Sequence, residues 1–131
     1  MAIEEPSIDA WLAEAKLDPQ ASQIGMYLTH NGVVRLTPKA QVREGKEGLG
    51  EVSQVAFSYH KEELAKAVEE AKTWPGIYYV RAWLNEGVLD VGDSLMYVLI
   101  GGDIRPHVID ALQKLVGKIK TELVVETELY A

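Results

Sequence analysis

There is no cysteine in this chain of 131 residues, which removes disulfides, thiolate metal sites and cysteine nucleophiles from consideration. Basic residues are also scarce: 13 Lys and Arg stand against 20 Asp and Glu, for a net charge of −7. Nucleic acids and anionic membranes reward a basic footprint, so neither is expected as a partner. A small anion remains compatible with this balance, because a local pair of basic residues can bind one inside an acidic protein. Long apolar runs are missing too. The longest, Leu95 to Ile100, is far shorter than the roughly 20 residues that span a bilayer. The opening MAIEEPSIDAWL is acidic and lacks the apolar core of a signal peptide, so cytoplasm is the expected location. What the chain does have is apolar material, 47% of its residues, enough at this length for one domain over residues 1–131 with a core of its own.

Periodicity gives the order of elements. Ser7 can cap a short helix whose Ile8, Trp11, Leu12 and Ala15 form one stripe. Residues 24–35 read as a strand or strand pair, with HNG as a bend. The Gly- and charge-rich segment LTPKAQVREGKEGLG reads as a surface loop. Glu51 to Tyr59 reads as a strand, and His60 to Thr73 as a helix burying Leu64, Ala67, Val68 and Ala71. Ile77 to Leu84 is a strand, LDVGDS a turn, and Leu95 to Ile100 a strand buried on both faces. The clearest helix follows Gly101-Gly102-Asp103, with Asp103 as its expected N-cap, Pro106 in the first turn, and Val108, Leu112, Leu115 and Ile119 as its stripe. Glu122 to Tyr130 is the last strand. Single helices between runs of strands predict an α+β fold with a mostly antiparallel sheet and about three helices.

Few residues point to chemistry by type and spacing alone. His30, His60 and His107 include no i, i+4 pair, and no metal site is expected. A Gly-x-Ser-x-Gly elbow and a Walker-type phosphate loop are both absent from the sequence. In IGGDIRPH a strand turns through two glycines into a helix, and Arg105 adds charge where free amides attract anions. The plain alternative is a strand-to-helix turn capped by Asp103. Lys120, at the far end of that helix, reads as a lysine complementing the dipole unless burial frees its amine for chemistry. Lys114 and Lys118 read as solvated, as do Glu126 and Glu128, which share one face of the last strand.

Two stretches together carry a resemblance. IDAWLAEA followed by IGMYLTHNGVVR, and AWLNEGVLDVGDSLMYVLIGGDIRPHVIDALQKLVGKIKTE, resemble the large, catalytic subunit of molybdopterin synthase. The second stretch is similar to that family's His-Arg-x-Gly-x-Leu-x-x-Gly-acid segment, its buried strand and its long helix ending in Leu-Lys. Gly87, Gly92, Arg105 and Lys120 fall in register without a gap. The resemblance implies that family's α+β fold, no cofactor, and a homodimer. It also implies a ubiquitin-like small subunit as partner, whose thiocarboxylate tail gives sulfur to a cyclic pterin phosphate. By the same resemblance Lys120 is the catalytic residue and Arg35 and Arg105 bind substrate. Lys39, Arg43 and Lys46 are further contributors from the loop.

The sequence departs from the family pattern at several points. Ile104 stands where the family has a histidine, Leu84-Asn85 where it has His-Arg, and Thr127 at the place of a second lysine. The sequence stops at Ala131, where the family continues with a tail that helps form the pocket. Three readings follow. One is a divergent sulfur-transferring large subunit. The second is a non-catalytic relative whose degenerate pocket serves as a protein-binding or scaffold module. The third is an unrelated α+β binding module. The first requires Arg35, Arg105 and Lys120 to converge, within one chain or across two copies.

Overall fold

The computed structural model describes residues 4–36 and 52–130. Most of the loop read from Leu36 to Gly50, with Lys39, Arg43 and Lys46, lies outside the described residues.

The first helix, α1 (Ile8–Ala15), starts as its sequence dictates: the Ser7 hydroxyl accepts a hydrogen bond from the Ala10 amide at 3.2 Å. A strand, β1 (Met26–Val33), then runs through His30-Asn31-Gly32 without the expected bend. Ladder pairing to β5 (Ser94–Gly102) holds it extended, and the only irregularity is a bulge between Gly32 and Val33. β2 (Val52–Tyr59) leads into α2 (Lys61–Ala71), which buries Leu64, Ala67 and Ala71. β3 (Ile77–Leu84) follows. Part of the expected turn is instead a short strand, β4 (Gly87–Asp90), because Gln54 to Phe57 of β2 offer it a free edge. The Gln54 side-chain amide also donates to the Asp90 carboxylate at 3.0 Å. After β5 come α3 (Arg105–Lys118), a turn of π-helix (Ile119–Leu123) and β6 (Val124–Tyr130).

The described strands form two three-stranded antiparallel sheets, ordered β1-β5-β3 and β4-β2-β6. Alternation along β5 divides its side chains between two layers. Met96, Val98 and Ile100 enter the main core with Leu64 and Ala67 of α2 and Val108, Ala111 and Leu115 of α3. Leu99 faces the other way, onto Trp11 and Ala15 of α1, with Tyr27, Tyr79, Trp83 and Tyr97 around it. The continuous apolar run of β5 is thus buried on both faces.

Where β5 turns into α3 the backbones nearly touch. A Cβ on Gly25 would lie 2.3 Å from the Asp103 carbonyl oxygen. Gly76, at φ +75°, sits under the side chains of Asp103 and His107. This corner fixes the start of α3. The helix then folds back over β5, β1 and β3, so its C-terminal end lies where β5 begins and β1 finishes.

Candidate functional site

Lys120 does not end an α-helix as its sequence suggests. The α-helical ladder stops at Lys118, and Lys120 belongs to the wider π turn. Extra residues in such turns recur at functional sites because they redirect side chains. This turn is fixed at both ends. Ile119 and Leu123 are buried in the main core, and the His60 amide donates to the Leu123 carbonyl at 2.9 Å. Thr121 closes it further, its hydroxyl donating to the Gly117 carbonyl at 2.8 Å. Lys120 is therefore half-buried and held, while Lys118 points to Glu70 at 3.4 Å.

Near enough to Lys120 for its charge to act on the ring is a residue that the sequence patterns did not single out for this role, His30. It follows Met26 and Leu28 at two-residue spacing on the α3 side of β1. Its Nε2 is buried and has no hydrogen-bond partner among the described residues. Burial lowers the imidazole pKa below its ordinary 6.5, and the nearby Lys120 charge lowers it further. One signal in the sequence could have found it: a polar residue at the third position of an inward alternation, where an apolar one is the rule.

The shift has a consequence for stability. The unfolded chain takes up a proton near pH 6.5, whereas folded His30 resists it. Its neutral form is therefore compatible with full stability above that pH, and stability falls as pH drops from 6.5 toward the lower folded value. Urea midpoints at about pH 7.5 and about pH 5 should differ less in His30→Gln than in the wild type. An identical difference in both proteins would overturn the assignment.

Arg35 lies just past β1. The preceding residue, Val34, is tied to the turn after β4, its amide donating to Asp93 and its carbonyl accepting from Gly92, both at 2.9 Å. Arg35 and Lys120 thus share one end of the sheet, and Arg35 is exposed. Arg105 is not with them. It opens α3, fifteen positions before Lys120 (105 to 120), or about 22 Å along a helical axis. Within one chain the structure brings Lys120, His30 and the Arg35 end of β1 together and leaves Arg105 at the other end.

The entrance of α3 also differs from its reading as an anion site. The N-cap is Ile104, not Asp103. The Asp103 carboxylate nevertheless occupies the place, accepting from the Ile104 amide at 2.6 Å and lying 2.7 Å from His107 Nδ1. Hydrogen bonding to His107 holds this carboxyl below the usual carboxylate range. Its charge takes the position an anion would use. Lys114, read as solvated, lies over the Trp74 ring at 4.3 Å beside a hollow of about 150 Å³ lined by Trp74, His107 and Asp110. Among the described residues no three acidic or histidine side chains gather as metal ligands.

Glu126 and Glu128 correct a further expectation. They oppose Phe57 and Val55 across the β2–β6 ladder, and both of those are buried. The two glutamates are therefore half-buried on the inner face of an edge strand, while Val125 is 53% exposed on the outer one. Thr127 is on that outer face too. Periodicity put the two acids on one face correctly, but pairing register decided which face was inside.

Comparison with known proteins gives the following. The family described as MoaE protein matches residues 3–122. No curated protein matches the chain. Among solved structures, the chain is similar to molybdopterin synthase from Staphylococcus aureus. The identity is 16%, the TM-score 0.73, and the match covers 98% of this chain and 89% of that one. It is similar to molybdopterin cofactor biosynthesis protein E from Burkholderia multivorans at 20% identity and TM-score 0.70, over 98% and 84%. A third similar structure is the complex of subunits 1 and 2 of molybdopterin-converting factor from Helicobacter pylori, at 16% identity and TM-score 0.66, over 94% and 75%.

Proposed function

The chain belongs to the MoaE protein family, and from that premise we propose that it serves molybdenum cofactor biosynthesis as the large subunit of a molybdopterin synthase. In this reading a small ubiquitin-like subunit brings a C-terminal thiocarboxylate, and its sulfur is transferred to a cyclic pterin phosphate. The Helicobacter pylori structure, a complex of two subunits, supports the idea of a small-subunit partner. The Lys120 ammonium stabilises the negative charge that develops as sulfur is exchanged, and Arg35, at the same end of the sheet, binds the phosphate. Lys39, Arg43 and Lys46 belong to the same proposal as contributors from the loop after Arg35. The observation that carries this reading is the placement of Lys120: half-buried, in a π turn fixed at both ends, at the same end of the sheet as Arg35.

Arg105 enters this site from a second copy of the chain. One chain separates it from Lys120 by most of a helix, whereas a homodimer can place one copy's helix entrance beside the other's helix exit. Subunit mixing tests this. Lys120→Ala and Arg105→Ala chains, each strongly impaired alone, should regain activity when mixed, because each heterodimer then holds one intact site. No recovery on mixing, or a monomer mass in light scattering, would count against it.

A second reading has two observations in its favour. Thr127 stands outward where a second lysine is expected, and Glu126 and Glu128 turn inward. Inward acids oppose two anionic ligands, as a binding module without catalysis would tolerate. Purified protein mixed with a thiocarboxylated small subunit and the cyclic pterin phosphate decides between the two. Dithiolene product supports the synthase. Partner binding without product supports the non-catalytic relative.

A further inference from the structure

We infer that His30 is a ligand-contacting residue of the Lys120 site, donating one uncharged hydrogen bond from Nε2 to an oxygen of the bound anion. The inference rests on the reading of that site as one that takes anions. A buried imidazole nitrogen without a partner is uncommon, since buried polar atoms are nearly always satisfied by protein, water or ligand. The direction of the ring explains what can reach it. Nε2 lies 3.5 Å from where a Cβ of Gly32 would stand, so the ring leans along β1 toward its Arg35 end. That nitrogen has no exposed surface, so the contact needs the ring to turn outward as the anion binds, and Gly32, with no side chain of its own, leaves room for that turn.

Chemistry then selects the donor role. A neutral imidazole carries one N–H, on either nitrogen. A lone pair at Nε2 would repel an anion, whereas an N–H there binds it, so the ligand selects the Nε2–H tautomer. The depressed pKa keeps the ring uncharged, so the contact adds direction to the site without adding a second positive charge beside Lys120. The ligand oxygen can belong to a phosphate or to a carboxylate-type tail, and the two are separable by experiment.

Nitrogen-15 NMR of the three histidines in the full chain provides the direct test. The protein would be titrated separately with inorganic phosphate and with a short uncharged peptide bearing a free C-terminal carboxylate. The expected result is a saturable move of His30 toward the Nε2–H form, with His60 and His107 unmoved. Response to phosphate alone assigns the contact to the phosphate-bearing substrate; response to the peptide alone assigns it to the tail. If Lys120 signals report binding while His30 does not respond to either probe, the inference is overturned and the reading of the Lys120 site stands. If neither probe binds at all, both fall.

Kinetics give an independent arm. His30→Phe should raise the KM for one substrate about tenfold, the effect of losing one hydrogen bond. His30→Gln, whose amide nitrogen reaches the position of Nε2, should restore most of that loss. Gly32→Ala should resemble His30→Phe, because its methyl would sit against Nε2 and 3.4 Å from Met96 Cγ, ordinary contacts that leave the fold intact. Active variants with unchanged KM throughout would remove His30 from the site while leaving sulfur transfer in place.

Discussion

Lys120→Ala is expected to lower dithiolene formation by about 10²- to 10³-fold, the usual cost of removing one group that stabilises transition-state charge. Its folding stability should stay within about 1 kcal/mol of wild type. The two expectations separate because of where the side chain sits. The backbone of the π turn is held by Ile119 and Leu123 in the core and by the His60–Leu123 hydrogen bond, none of which uses the Lys120 amine. Truncating that side chain removes a cation from the end of the sheet and leaves those backbone and core anchors in place. Lys120→Arg refines the result. A guanidinium keeps the charge but cannot form the transient covalent link open to an amine. Partial activity in Lys120→Arg would make the role electrostatic, and loss equal to Lys120→Ala would make it one of the amine itself. Undiminished product from Lys120→Ala would end the catalytic reading of this residue.

The expected size of that effect depends on what surrounds the ammonium. His30 contributes no charge, Arg35 adds one at the same end, and the inward Glu126 and Glu128 bring negative charge to the neighbouring sheet. A site with a single lysine should depend on that lysine more than a site with two. The departure at Thr127 therefore raises the expected penalty of Lys120→Ala if the protein is active.

Elements governed by local rules were legible in the sequence. The Ser7 cap with its i, i+3, i+4, i+7 stripe gave α1, and the apolar run from Leu95 gave a strand buried on both faces. The family resemblance supplied the fold and its register. What escaped depended on pairing between distant segments. β4 exists because β2 offers it an edge, and nothing in GVLD announces a strand. The inward turn of Glu126 and Glu128 follows from their opposition to Phe57 and Val55. The π turn was invisible because KIKTEL continues a plausible helix, and what fixes the turn is tertiary: the packing of Ile119 and Leu123 and the His60 hydrogen bond. His30 escaped because a search for metal pairs asks about sequence spacing, while its environment is made by β1 and the π turn across the chain. The separation of Arg105 from Lys120 was readable from helix length alone, since fifteen helical positions span about 22 Å.

The π turn can be tested through a pair of core residues that differ chiefly in their distance from it. Leu115 and Ile119 are both fully buried in the same core cluster, one turn apart. Truncating either to alanine leaves a cavity and should cost about 2–5 kcal/mol of stability. For a domain of this size that lowers the thermal midpoint by roughly 10 °C or more. Their effects on activity should diverge. Ile119 immediately precedes Lys120 and holds the start of its turn, so its loss lets the amine shift. Misplacement by about 1 Å can cost of the order of 10²-fold in rate. Leu115 holds the helix a full turn earlier, where the α-helical ladder continues to Lys118 before the turn begins. Measured below both melting transitions, Ile119→Ala should lose far more sulfur transfer than Leu115→Ala at similar stability. Equal activities would mean that the π turn keeps its shape without Ile119, and that the Leu123 anchor alone is enough to hold Lys120 in place.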